Sequence, residues 1–262
     1  MKKGEKSISH APSSQDDTYI RLGSAFVDEG AKKVFVFSED ILINQLRRDG
    51  PIIEKSFDQL CESELRQFSS LISQTSGLLY SGLRLASQQE DELRKACAQL
   101  LLNASNSFAA SVAVLRMGYV LQPGIIIRSL LEAVSTTLHL LQKPSDFSAY
   151  QNHTLQSPKT IALAKKALPP FGILYGHFSD NFAHIGRLHK SITPITEYTE
   201  RDEALKLNLS SLRIASWLLY VTTELVFNEL VSSPRYWHPV ENGYQYAPSE
   251  EEKNWFTKYF EL

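Results

Sequence analysis

With 262 residues and 43% hydrophobic content, the chain can close a sizeable core, which excludes a disordered or fibrous protein. Its 27 Lys and Arg are balanced by 29 Asp and Glu, so no global positive field draws it to nucleic acid or acidic lipid, and any such contact must use a local patch. The two cysteines, Cys61 and Cys97, lie in helix-like patterns without CxxC or Cys/His spacing. They read as buried, reduced thiols rather than a disulfide framework or a structural zinc site.

In chain order, residues 1–18 are polar and read as a mobile tail, leaving 19–262 as a single helical domain. Polar residues follow the basic start Met1-Lys2-Lys3, where a signal peptide would need an apolar core, so the chain is expected in the cytoplasm. Lys33-Val34-Phe35-Val36-Phe37 reads as a short strand, although Ser38 equally suits the cap of a helix through Ile41, Ile43 and Leu46. Asp49-Gly50-Pro51 is expected to end that element.

Helical spacing of Leu60, Leu65, Phe68, Leu71, Ile72, Leu79 and Leu83 predicts one long or broken helix over 57–86, weakened at its centre by Gly77 and Gly82. A second helix is expected over 91–117. A third opens at Pro123-Gly124 and closes at Lys143-Pro144. Shorter helices fill 146–170, Pro169-Pro170 stops the chain before a helix over 171–185, and the longest candidate covers 200–231. An aromatic, proline-rich return segment from Pro234 and a short terminal helix after Ser249 complete an all-α multi-helix bundle with room for one short N-terminal strand or hairpin. The apolar stretches 124–141 and 215–231 are interrupted by Arg128, Glu132 and His139 and by Glu224 and Glu229, and neither reads as a membrane helix. Apolar surface on the 91–117 and 200–231 helices predicts a homodimer.

Chemistry concentrates on the third helix, where steps of four and seven residues place Arg128, Glu132 and His139 near one face of an otherwise apolar sequence. Such charges are expected to be mostly buried and paired with each other or with Tyr175-Gly-His177-Phe-Ser179-Asp180-Asn181-Phe-Ala-His184. Metal ligation by His177, Asp180, His184 and Glu132 lacks a specific spacing, so no metal and no cofactor is assigned. Lys159, Lys165, Lys166, Arg187 and Lys190, among four histidines and one acid, supply a local excess suited to phosphate. No GxSxG, P-loop, GxGxxG or kinase signature occurs.

The segment Arg128-Ser-Leu-Leu-Glu132, followed by Tyr175, Ser179 and His184, resembles a widespread bacterial family of helical proteins marked by an R-S-x-x-E helix and a later Y-x-x-x-S…H segment. The resemblance covers about 90–230, and the group is distantly similar to the HEPN superfamily. It implies a dimerising helical bundle, an accessory or effector of a bacterial stress or phage-defence system that acts on RNA without a metal. The arginine–histidine pair of the RNase members would be Arg128 and His184 here, since ten residues separate Arg128 from His139. On this reading Arg128 and His184 are catalytic, while Glu132, Tyr175, Ser179 and Asn181 bind RNA or another phosphate-containing ligand. The alternative is a non-catalytic dimeric module that binds a partner protein and whose polar cluster is structural.

Overall fold

The structure is a computed structural model and describes residues 22–180, 188–190 and 194–259. The tail expected over 1–18 lies outside the described residues, as do Asn181 and His184. The chain divides into two compact units between Asp49 and Gly50.

In the N-terminal unit, β1 (Leu22–Asp28) and β2 (Lys33–Ser38) form an antiparallel two-stranded sheet, followed by the single turn α1 (Ile41–Asn44) and a π-helical turn, Gln45–Asp49. The strand and the helix thus both form, one after the other, but Ser38 ends the strand and Asp40, not Ser38, precedes the helix. The connection is held by Asp28, whose carboxylate accepts the Ala31 amide proton at 2.9 Å, while Lys32 takes a positive φ of 50°.

The second unit is a helical bundle of α2 (Gly50–Gln88), α3 (Glu92–Arg116), α4 (Gln122–Gln142), α5 (Phe147–Gln151), α6 (Ser157–Ala167), α7 (Pro170–Phe178) and α8 (Glu203–Val226). A small hairpin, β3 (Trp237–Val240) and β4 (Gly243–Tyr246), and the helix α9 (Glu250–Tyr259) follow. Gly50-Pro51 opens α2 instead of closing what precedes it, because proline is tolerated in a first turn, where its missing N–H has no intrahelical partner. Within α2 the buried residues Ile53, Phe57, Cys61, Glu64 and Phe68 recur every three or four positions, and the backbone kinks at Cys61. α3 starts at Asp91, whose side chain accepts the Arg94 amide proton, and α8 starts at Asp202, which caps Leu205 in the same way.

α8 is the central element, buried along nearly all of its length and packed against α2, α3 and α4. Its apolar surface is therefore covered within the chain, which corrects the expectation that α3 and α8 carry an uncovered excess: no large exposed apolar side chain lies on either. By length and composition α3 and α4 could each cross a membrane. Here they pack against each other, and α4 also packs against α6 and α8.

The end of α8 is tied to the return segment by one carboxylate. Glu224, fully buried, accepts the amide protons of Arg235, Tyr236 and Trp237 at 3.2, 2.7 and 2.9 Å. The Trp237 indole N–H donates to the Val221 carbonyl at 2.7 Å, one turn before it.

Candidate functional site

α3 and α4 lie side by side, and each carries a polar stripe on the side where they meet. On α3, Asn103 and Ser107 are four residues apart, while Ser129, Glu132 and Thr136 recur at helical spacing on α4. The Ser129 hydroxyl reaches the Ser107 hydroxyl at 3.2 Å and joins the two helices. On the other flank of α4, the Ser135 and Thr160 hydroxyls meet at 3.2 Å and fix α6. These helices and the α5–α6 connection enclose an open cavity of about 490 Å³. Its polar lining includes Asn103, Ser129, Glu132, Tyr150, His153 and Ser157.

Glu132 gives the cavity its carboxylate and His153 its imidazole. Burial pushes the Tyr150 hydroxyl up from its ordinary range, so it remains a neutral hydrogen-bond donor. His153 sits just past α5 with φ at 56°, a left-handed conformation that glycine adopts freely and histidine only at a cost. The turn is held by the His153 amide on the Tyr150 carbonyl at 3.0 Å and the Thr154 amide on the Ala149 carbonyl at 2.9 Å. These two bonds are the usual closure of a helix C-terminus by a left-handed residue, the same pattern that gives Glu90 its φ of 56° after α2.

Arg128 lies one helical turn before Glu132, and its Nε is 3.7 Å from Glu132 Oε1. The two form an i,i+4 ion pair, too long for the expected hydrogen bond, and the expected burial is absent. The Arg128 and Glu132 side chains are 49% and 44% exposed. The reason is geometric: Ile127, Leu130, Leu131 and Val134 take the core-facing positions of α4 and turn Arg128 outward. His139, by contrast, is buried, and its Nε2 bonds Asp146 Oδ2 at 2.8 Å.

Among its described residues, the expected partner segment does not face Glu132 across this cavity. Tyr175 is stacked on Phe171 with ring centres 6.1 Å apart, and the Lys165 ammonium lies 5.7 Å from its ring centre. Neither Tyr175 nor Ser179 lines the cavity, which α3 and the α5–α6 connection complete instead. The signal for those residues was legible as the Asn103, Ser107 and Ser111 repeat at steps of four in α3. His153 appeared in sequence only as one of four histidines in a basic stretch.

A second cavity, about 320 Å³, lies among Gln74, Arg213, Arg235 and Glu252. Arg235 there is engaged by the chain itself: it reaches Glu252 at 3.4 Å, donates to Gln74 and to the Tyr220 hydroxyl, and covers the Tyr220 ring. The α4 cavity is lined by a carboxylate, Glu132, and an imidazole, His153, and the Arg128 guanidinium lies outside that lining, beside Glu132. Compared with family models, curated proteins and solved structures, the chain finds no match in any of the three.

Proposed function

We propose that the protein is a HEPN-like helical effector or accessory protein that acts on RNA at the α4 cavity. The observation that carries this reading is that Glu132 and His153 line one open cavity with Arg128 beside Glu132. A base, an acid and a phosphate-binding cation are the groups that metal-independent RNA cleavage requires.

In the proposed reaction the Glu132 carboxylate takes the proton of a ribose 2′-hydroxyl, whose oxygen attacks the adjacent phosphorus. His153 gives a proton to the departing 5′-oxygen as the P–O5′ bond breaks. The products are a 2′,3′-cyclic phosphate and a free 5′-hydroxyl. Arg128 balances the negative charge that builds on the non-bridging oxygens. Asn103, Tyr150 and Ser157 supply hydrogen bonds that orient the ribose or base.

Purified protein incubated with cellular RNA, with and without divalent metal, tests this against Arg128→Ala, Glu132→Gln and His153→Gly variants that keep their helical signal. Each variant should lose at least about a hundredfold in cleavage rate. Cleavage that survives all three substitutions, or no cleavage under any condition, overturns the reading. The second reading, a non-catalytic association module, is favoured by the run of exposed apolar side chains in the N-terminal unit.

A further inference from the structure

The stretch Lys32-Lys33-Val34-Phe35-Val36-Phe37-Ser38-Glu39-Asp40 is basic at one end, apolar in the middle and acidic at the other. Its centre is β2. The register of the hairpin sets Phe26 opposite Phe35 and Ser24 opposite Phe37 on one face, with Val27 opposite Val34 and Ala25 opposite Val36 on the other. Residues Val34 to Phe37 are 45% to 63% exposed, so both faces of β2 are apolar and in solvent. Strands that read this way are normally covered on both sides.

Among the described residues the strand also has an open edge. Among the described residues the sheet has two strands, and β1 occupies one side of β2. The other side presents a row of backbone N–H and C=O groups. Little blunts this edge in β2: it has no proline, its one charge is Lys33 at its first position, and the register irregularity falls on β1 at Leu22/Ser24.

We propose that β2 pairs antiparallel with β2 of a second copy of this chain, about a two-fold axis, to give a four-stranded sheet in the order β1-β2-β2-β1. The occupant is argued from charge. Antiparallel pairing lays Lys32-Lys33 of each copy beside Glu39-Asp40 of the other, at both ends of the contact. Parallel pairing would stack like on like. With Val36 opposite its own copy, Lys32 meets Asp40; shifted by half a step, with Phe35 opposite Val36, Lys32 meets Glu39. Either register satisfies it, and the apolar centre meets itself, as an isologous interface requires. An isolated two-stranded hairpin is marginal in water, whereas four strands with continuous apolar faces meet the usual requirement for stability.

Analytical ultracentrifugation of the full chain over about 1 to 100 µM tests this. The wild type should shift towards about 59 kDa, twice the 29.6 kDa chain. Glu39→Lys/Asp40→Lys, which sets four lysines against four, should weaken association at least tenfold, and adding Lys32→Glu to it should restore much of the loss. If the charge variant loses helical signal, Val36→Lys reads the same edge and should also be monomeric. A wild type that stays at 29.6 kDa across the range, or variants that dimerise like wild type, overturn the proposal.

Discussion

Arg128 and Glu132 meet 3.7 Å apart with nearly half of each side chain in solvent, so water solvates whichever partner is left when the other is removed. Exposed pairs of this kind are worth about 0 to 1 kcal/mol. Arg128→Ala should therefore shift a denaturant midpoint by about 1 kcal/mol or less while abolishing the proposed RNA cleavage. A much larger loss of stability would mean that the pair supports the fold. His153 offers the opposite contrast. Its left-handed backbone suits glycine, so His153→Gly should leave stability unchanged or raise it by up to about 1 kcal/mol while removing the proposed acid. Thermal melts alongside cleavage assays read both effects in one variant, and a destabilised His153→Gly would show that its ring packs rather than acts. The Arg128–Glu132 pairing was legible from i,i+4 spacing alone. Its exposure was not, because hydropathy reports the composition of α4 but not which of its sides α3, α6 and α8 cover.

At the scale of elements, the two glycines in α2 part company. A Cβ on Gly82 would lie 2.4 Å from the Phe227 ring, whereas nothing stands within 4 Å of one on Gly77. Gly82 thus admits the fully buried Phe227 against α2, and Gly77 only loosens the helix. Gly82→Ala is expected to cost about 1 to 3 kcal/mol through overpacking, and Gly77→Ala to add up to about 1 kcal/mol through helix propensity. Urea midpoints of the two variants should move in opposite directions. Sequence alone gave both glycines the same reading, since only tertiary packing distinguishes them. Helix positions were otherwise well marked by periodicity and by proline: α3 and α4 lie close to their expected limits. α8 ends at Val226, short of 231, because Asn228–Leu230 tightens into a 3-10 turn. The α4 cavity was only half legible, since its α4 wall shows in the sequence whereas the α5–α6 connection is brought to it by the fold.

For the whole molecule, burial sets the response to alkali. It pushes the Cys97 thiol up to about 12 and the Cys61 thiol up to about 11, and raises Tyr246 to about 12. Tyr198 and Tyr236 are raised by burial as well. Ordinary thiols and phenols ionise near about 8.5 and 10, so above roughly pH 8 the unfolded chain releases protons that the folded protein retains. The stability these groups confer is complete below that point and falls progressively as pH rises to about 12. The urea midpoint should drop between pH 8 and pH 10.5, and neither cysteine should react with iodoacetamide at pH 8 until the protein unfolds. A midpoint that does not move would show that these groups reach water in the native state.

The three amides that end on Glu224 belong to a connecting segment, where backbone protons normally trade with solvent in seconds. Here they stop on a buried carboxylate that cannot let go of one without leaving charge uncovered. Arg235, Tyr236 and Trp237 should consequently be the slow-exchanging positions of an otherwise fast stretch, keeping their protons as long as the central turns of α8 do. Deuterium uptake followed residue by residue would show three protected amides in a row outside any helix. Glu224→Gln, which keeps the shape but gives up the charge, should release them before α8 itself begins to open.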